Sequence, residues 1–285
     1  MLTVIRDEGT SAVTDDGRMG TPYPLGVPKI DPTVANIARA WNYMVGGKDN
    51  FEADREAARQ LIAAAPVIAV AAPASRAFLR RAVQYLVNEM GIRQIIDVGA
   101  GLPTAGNTHE VAQSLAPSCR VVYVDNDPVV ISHVRTLAAP FPEGFTSYID
   151  ADARNPELIL AQAAKTLDLT EPVAVMMLDL LNFIEDDAAA SAVSSLMAAM
   201  PSGSYFAVWH PASDLDPALL EAERRWNQLA ANRVRLRSRA EVASFLAGLD
   251  LVEPGLVTIP EWRPEPGEAV PDEVIPLYAA VARKP

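Results

Sequence analysis

Glycines and acids at the ends of three short apolar runs could bind a nucleotide-like ligand. The first run ends in residues 97–101 (DVGAG), whose two glycines permit a tight turn and let the backbone approach a ligand closely. The second run ends at Asp125, whose carboxylate could accept hydrogen bonds from both hydroxyls of a ribose. The third is followed by Asp152, which could accept a hydrogen bond from the exocyclic amine of a purine. This pattern predicts a nucleotide-type site.

A second set of polar residues could move a proton. Asp179 lies inside the apolar run 173–183 (VAVMMLDLLNF), where a buried carboxylate is costly without a partner. With Asn182 close by, it could accept a hydrogen bond or a proton from an N–H or O–H group of a bound molecule, or it could cap the following turn. His210 could be catalytic or structural, and Tyr23, which has a proline on each side, could fold over a site.

The elements that must position these residues alternate between strand and helix. Strands are predicted at Gln94–Val98, Arg120–Val124, Thr146–Ile149, Val173–Asp179 and Ser204–Trp209, and helices at Thr108–Ala116, Pro128–Ala138, Pro156–Leu167 and Asp186–Met200. This alternation predicts an α/β fold with a doubly wound, mostly parallel sheet and helices on both faces. In such sheets a ligand binds beyond the carboxyl ends of the strands, near the point where the strand order reverses.

The two ends of the chain differ from this alternating middle. Residues 1–32 are polar and show no hydrophobic period, so we interpret them as an N-terminal arm. Residues 33–91 are predicted to form a helical lid, with helices over Pro32–Gly46, from Asn50 to Pro66 and over Ala74–Met90. Residues 92–285 are predicted to form the sheet domain, which ends in an antiparallel pair at the sheet edge, Leu251–Ile259 and Pro276–Arg283.

Composition and charge narrow the class of protein. The 285 residues carry 24 Lys+Arg and 36 Asp+Glu, a net charge of −12, which disfavours a nucleic-acid surface or a polybasic membrane contact. Hydrophobic residues make up 50% of the chain, enough to build a core and to exclude wholesale disorder. The single cysteine, Cys119, fits a reducing compartment, and the sequence shows neither a membrane span nor a secretory signal. We therefore expect a cytoplasmic protein.

Two nucleotide-type cofactors fit the turn and the acids to different degrees. A nicotinamide-binding turn would want a third glycine at position 104, where the chain has Thr104, and Pro103 removes a backbone donor that a pyrophosphate would use. An acid before the first glycine, one after the second strand and one after the third together are similar to a site for S-adenosylmethionine (SAM). An NAD-dependent oxidoreductase stays a disfavoured alternative.

Longer motifs narrow the resemblance to one family. They are residues 41–51 (WNYMVGGKDNF), 53–55 (ADR), 101–104 (GLPT), Asn107 with 109–111 (HEV), and 122–128 (VYVDNDP). With these motifs the chain resembles an actinobacterial family of SAM-dependent methyltransferases that was long known only as a domain of unknown function. The match covers nearly the whole chain from about residue 30 onward, and the GGKDNF run is far more specific than the two-glycine turn.

The resemblance implies a class I methyltransferase fold with a Rossmann-like sheet, in which the helices of residues 33–91 lid the SAM site. It implies SAM as the cofactor. No metal is expected, because His109, His133 and His210 show no ligand spacing with acids or with the cysteine. The cofactor-binding residues are expected to be Gly47, Lys48, Gly99, Ala100, Gly101, Thr104, Asn107, Asp125, Asn126, Asp152 and Ala153.

The resemblance also bears on the acceptor of the methyl group. The family has an apolar residue at position 179 and a histidine near 182, so Asp179 and Asn182 are departures that suggest a specialised substrate. The expected catalytic residues are Asp179, Tyr23, Asn182 and His210. We expect a small-molecule acceptor in natural-product biosynthesis. Some enzymes that this chain resembles methylate indole C3 of a tryptophan-derived peptide or diketopiperazine to give a pyrroloindoline, and Asp179 would there pull on the indole N–H.

Other acceptors and roles stay open on the sequence alone. The same site could methylate a phenol or an amine of another small molecule, since a carboxylate can receive a proton from either. A non-catalytic SAM-binding regulator would also carry the cofactor residues. The expected partner is a small molecule, with neither nucleic acid nor membrane.

Overall fold

The centre of the fold is an eight-stranded sheet whose strands run mostly parallel. The computed structural model describes residues 31–103, 105–127, 129–131, 145–230, 232–267 and 274–285. The strands are β1 (Gln94–Val98), β2 (Arg120–Asp125), β3 (Phe145–Asp150), β4 (Ala174–Leu178), β5 (Tyr205–Pro211), β6 (Asp250–Leu251), β7 (Val257–Thr258) and β8 (Leu277–Arg283). Their order is β3-β2-β1-β4-β5-β8-β6, with β7 also paired to β8. Strands β1 to β5 are parallel, and β8 is antiparallel to β5, β6 and β7.

Helices cover both faces of this sheet, so the predicted doubly wound α/β class is confirmed. They are α1 (Ile37–Met44), α2 (Glu52–Ala64), α3 (Ile68–Gln84), α4 (Thr108–Leu115), α5 (Pro156–Ala163), α6 (Asp186–Ala199), α7 (Pro217–Leu229) and α8 (Arg239–Ser244). Successive residues of β1 enter different cores, with Ile95 under one face and Ile96 under the other. A strand that is buried on both faces reads as a continuous apolar run, which is why these strands were visible in the sequence.

The strand order reverses beside β1, and this reversal positions the site. Strand β1 lies between β2 and β4, so the chain leaves it toward β2 on one side and returns through β4 on the other. Connections that diverge in this way leave a crevice beyond the carboxyl ends of the strands.

The N-terminal helices pack together with a helix from later in the chain. Helix α2 packs on α7 through a separate apolar core that includes Ala57, Leu61, Leu219 and Trp226. A buried ion pair between Arg39 Nε and Asp54 Oδ2 (2.8 Å) ties α1 to α2. Among the described residues, no single helix is long and apolar enough to cross a membrane; only α2 and α3 with its π-helical extension pass that test together, and they are bent by 103°.

Two predicted elements differ from the structure. Helix α3 begins at Ile68 instead of Ala74, because its first turns bury Ala71 and Ala72. It contains Pro73, whose missing N–H removes one helical hydrogen bond. The single strand predicted over Leu251–Ile259 is wrong: only the two short strands β6 and β7 form, since Pro254 between them has no N–H for the ladder. The arm and most of the helix predicted at Pro128–Ala138 lie outside the described residues.

Candidate active site

A cleft of about 1000 Å³ opens beyond the carboxyl ends of β1 to β5. Its floor consists of residues that follow successive strands, and its walls come from α1, α3 and the segment after α7. The predicted site residues that line it are Gly99, Ala100, Gly101, Asp125, Asn126, Asp152, Ala153, Asp179 and Asn182. Sequence residues that lie far apart along the chain therefore meet at one edge of the sheet.

The turn after β1 places backbone atoms directly on the cleft. Gly99 and Gly101 have φ values of +85° and +63°, which residues other than glycine rarely adopt. A Cβ at Gly99 would come within 3.0 Å of Leu180, so the turns after β1 and β4 are in contact. A Cβ at Gly101 would have no protein atom within 4 Å, which leaves room for a ligand against the backbone.

Asp125 at the end of β2 is oriented by that turn. Its Oδ2 accepts from the N–H of Gly101 (2.9 Å) and its Oδ1 from the N–H of Asp127 (2.8 Å). Burial raises the pKa of the Asp125 carboxyl. Each carboxylate oxygen has a second lone pair, so the side chain can still accept from two hydroxyls of a ribose.

Asp152 after β3 carries an ion pair with Arg154. The Arg154 guanidinium lies 2.6 Å from Asp152 Oδ2, and Asn126 Nδ2 donates to the same oxygen (3.0 Å). Hydrogen bonds from Arg154 lower the pKa of Asp152 to about 2, so the group is ionised at neutral pH. Because both Asp152 oxygens already accept two hydrogen bonds each, the exocyclic amine of a purine would bind here by replacing one of those from Arg154.

The sequence analysis missed Arg76, which lies on α3 and lines the cleft next to the β1 turn. Its Nη2 donates to the carbonyls of Ala105 (3.1 Å) and Gly106 (2.7 Å). The nearby buried Asp97 accepts from the Thr108 hydroxyl (2.6 Å), and burial raises the pKa of Asp97 to about 6. Arg76 is thus a cation beside the glycine turn, suited to a ligand carboxylate.

Asp179 directly follows β4 in a left-handed conformation, with φ +58°. Its backbone N–H donates to the carbonyl of Trp209 (3.2 Å), and Asn182 Nδ2 donates to its Oδ1 (2.9 Å). Burial raises the pKa of the Asp179 carboxyl to about 8, and the hydrogen bond from Asn182 offsets this only in part. A carboxyl whose pKa lies close to neutral pH can serve as a general base.

Aromatic side chains form the wall beside Asp179. The rings of Trp41 from α1 and Trp209 from β5 lie 5.8 Å apart between centroids at 34°, and both line the cleft together with Phe183. Arg233 stands on the opposite wall. This part of the cleft suits a flat aromatic molecule, because aromatic pairs in offset or tilted arrangements attract one another.

Other predicted site residues lie away from the cleft lining. His210 is fully buried, with Nδ1 2.8 Å from the carbonyl of Pro211 and Nε2 2.8 Å from Arg237 Nη1, and burial lowers its pKa to about 4. Asn107 is the N-cap of α4, where its side chain contacts Glu110.

Gly47 and Lys48 are also absent from the residues that line the cleft. Gly47 is pressed against the Asn42 side chain, and a Cβ there would overlap it. Asn42 Oδ1 accepts from the Asp49 N–H (3.0 Å) and from Asn50 Nδ2 (2.9 Å). The described contacts of this run thus join α1 to α2. Thr104 and Tyr23 lie outside the described residues.

Comparisons with known proteins agree with this geometry. A family model described as S-adenosyl methyltransferase matches residues 26–285. A DUF574 family protein from Streptomyces avermitilis is 41% identical, with a TM-score of 0.86 over 90% of this chain and 100% of that chain. A candidate methyltransferase from Thermobifida fusca is 34% identical, with a TM-score of 0.83 over 92% of this chain and 99% of that chain.

A more distant likeness concerns the fold alone. Magnesium protoporphyrin IX methyltransferase from Synechocystis, solved with S-adenosylhomocysteine (SAH), is 12% identical, with a TM-score of 0.51 over 86% of this chain and 93% of that chain. No functionally curated protein matches the chain at a significant level.

Proposed function

Since the chain belongs to the S-adenosyl methyltransferase family, it is a SAM-dependent methyltransferase with the class I fold, and we propose that its acceptor is a small aromatic molecule with an N–H or O–H group. The proposal rests chiefly on one observation: Asp179 lies beside the Trp41–Trp209 pair in the cofactor cleft. Its pKa of about 8 suits the removal of a proton from such an acceptor.

The residues present fit the cofactor. Following the strand order, Asp152 after β3 would hold the adenine, Asp125 after β2 the ribose, and the Gly99–Gly101 turn with Arg76 the methionine part. The open space at the Cβ position of Gly101 leaves room for a ligand there. When bound, SAM supplies an electrophilic methyl group on a positively charged sulfur, which an acceptor displaces in line.

The protein's own contribution is to position the acceptor and to take its proton. Trp41 is partly buried and packs on the buried Trp209, so an aromatic acceptor could stack on the Trp41 ring, and a methyl acceptor held in line gains most of its rate from this positioning. Asp179 Oδ1 already accepts from Asn182, which leaves its other oxygen for the acceptor N–H or O–H. The acceptor gains a methyl group and loses a proton to the carboxylate.

The acceptor that we propose first is indole C3 of a tryptophan-derived peptide or diketopiperazine, made in natural-product biosynthesis. Asp179 would draw on the indole N–H and thereby increase the electron density at C3. The C3-methyl indoleninium would give its N–H proton to Asp179, and an internal amide N–H would then add across the C2=N bond, with the nitrogen bonding to C2 and its proton passing to the indole nitrogen, to give a pyrroloindoline. The net charge of −12 and the single cysteine support a small-molecule acceptor in the cytoplasm instead of a nucleic acid or a membrane.

O- or N-methylation is the close alternative, because Asp179 can also receive the proton of a phenol or an amine. Mass spectrometry of reactions with SAM and a panel of indoles, phenols and amines separates the two. We expect a gain of one methyl group on a tryptophan diketopiperazine, with loss of indole absorbance. Methylation confined to phenols or amines would discard the indole acceptor.

The matched control is the same diketopiperazine methylated at the indole nitrogen, which has the same ring but no N–H. Its turnover should be far lower if Asp179 draws on that N–H. Equal turnover of the two compounds would contradict the proposed role of the N–H.

A further inference from the structure

Asp179 has no cation beside it within the described part of the cleft. Its side-chain partner is Asn182, and burial raises its pKa to about 8 although that hydrogen bond acts in the opposite direction. The carboxyl of the free protein is therefore mostly protonated at pH 7. This state is unusual for an aspartate at the rim of an open cleft, and it implies that a charged partner is supplied from outside.

Strand order places this carboxyl next to the sulfur end of the cofactor. In the proposed SAM pose the adenine, ribose and methionine parts would follow the ends of β3, β2 and β1 in turn, and β4 is the next strand in the sheet. Leu180, the neighbour of Asp179, is in contact with Gly99, since a Cβ on that glycine would lie 3.0 Å from the Leu180 side chain. Asp179 and the Gly99–Gly101 turn are thus adjacent on the cleft floor.

The other charged groups around the cleft have partners or surroundings of their own. On the cofactor side, Arg76 holds carbonyl oxygens, Asp97 holds the Thr108 hydroxyl and Asp125 holds backbone N–H groups. On the acceptor side, Glu185 and Arg233 are exposed, Arg235 pairs with Asp186, Glu223 accepts from the Leu236 N–H, and His210 faces Arg237 behind the sheet. None of them contributes to the raised pKa of Asp179.

We propose that Asp179 is the counter-ion of the SAM sulfonium and that its carboxyl releases one proton when SAM binds. The local charge then stays at zero, because a neutral carboxyl in the free protein becomes a carboxylate that faces a cation. The proton that leaves the acceptor restores the neutral carboxyl, while the sulfur, having lost its methyl group, becomes a neutral thioether. This return of the proton rests on the proposed function, whereas its release on SAM binding does not.

The proposal predicts different pH dependences for the cofactor and its product. The amino group of the methionine part titrates at a lower pH in SAM than in SAH, because the sulfonium disfavours the neighbouring ammonium. The component due to Asp179 is therefore the part of the SAM–SAH difference that Asp179→Asn removes. SAM affinity should rise by about tenfold per pH unit as the pH increases toward 8, as long as the bound carboxylate stays ionised. SAH affinity should lack this component, because a neutral thioether gains nothing from the carboxylate.

Isothermal titration of the full chain with SAM and with SAH from pH 6 to pH 8, in buffers of different ionisation enthalpy, tests this directly. We expect SAM to release close to one proton per site at pH 7 beyond whatever SAH releases. Asp179→Asn should lose this one-proton component, and Glu185→Gln, which changes an exposed acid on the same cleft, should keep it.

Two results would overturn the proposal: SAM and SAH affinities that change in parallel with pH, or an extra proton release by SAM that persists in Asp179→Asn. If that variant does not fold, Asp179→Gly, which also lacks a carboxyl and suits the left-handed backbone at this position, takes its place in the same comparison. No acceptor is present in these titrations, so their failure and the failure of the proposed acceptor chemistry are distinguishable.

Discussion

Turnover of Asp179→Asn is expected to fall by about 100- to 10,000-fold with an acceptor that must lose a proton, which is the usual contribution of a positioned general base. Asparagine keeps the size of the side chain and cannot take the proton. The affinity for SAH should stay near that of the unmodified protein, because SAH has no sulfonium and in the proposed pose is held by residues after β1, β2 and β3. Single-turnover rates with saturating SAM, together with SAH titration, measure both quantities.

The pH profile gives this prediction its sign. Only the ionised carboxyl is a base, so turnover should be lost as the pH falls, with an apparent pKa below the value of about 8 of the free protein, since the sulfonium favours the carboxylate. That acid limb should be absent from Asp179→Asn and present in Glu185→Gln. Equal turnover of Asp179→Asn and the unmodified protein would remove Asp179 from the mechanism.

Arg237→Ala should lower the free energy of unfolding by about 3–5 kcal/mol, the usual result of removing one partner from a buried charged network. The Arg237 side chain is 1% exposed, and its Nη1 donates to the carbonyl of Leu181 (2.7 Å) and to His210 Nε2 (2.8 Å). Its Nη2 donates to the carbonyl of Ile184 (2.7 Å). The variant would leave these buried acceptors unpaired, and they hold the segment that follows Asp179.

Arg235→Ala is the matched control, because Arg235 and Arg237 both pair with Asp186. Its Nη2 lies 2.7 Å from Asp186 Oδ2, but the Arg235 side chain is 46% exposed, so its loss should cost less than about 1 kcal/mol. Urea denaturation of both variants measures the difference. Similar stabilities of Arg237→Ala and Arg235→Ala would show that the buried network does not hold this segment.

The sequence predicted which residues after the first three strands lie together at the cleft. Gly99, Gly101, Asp125 and Asp152 each follow a buried strand, and the strand ends of a parallel sheet meet at one edge, so local patterns alone placed them together. Asp179 was found in the same way, as a polar residue at the end of an apolar run. Its raised pKa was not readable, because it depends on which groups of distant segments surround it.

The burial of His210 and the position of Arg76 on the cleft were not predicted from the sequence, for different physical reasons. His210 immediately follows Trp209, and successive side chains of a strand point to opposite faces, so a tryptophan on the cleft indicates a histidine behind the sheet. Arg76 reaches the cleft only because α3 packs over the β1 turn, which no local pattern reveals. Helix α7 carries an Asp216 cap and a proline in its first turn, signals that were present but not used.

A motif that is specific for a family does not have to line the cleft. The GGKDNF run was the strongest family signature, yet the described contacts of its Gly47 and Asn50 with Asn42 join α1 to α2. A signature identifies relatives whether it serves binding or folding, and only the packing of the Asn42 side chain distinguishes the two here.

A crystal structure of the complex with SAH would show directly whether Asp179 lies beside the cofactor sulfur. We expect the adenine beside Asp152, the ribose hydroxyls on Asp125, the methionine carboxylate near Arg76 and the sulfur facing the carboxyl of Asp179. A sulfur that faces away from Asp179, with the carboxyl turned into the protein, would contradict both the base and the counter-ion.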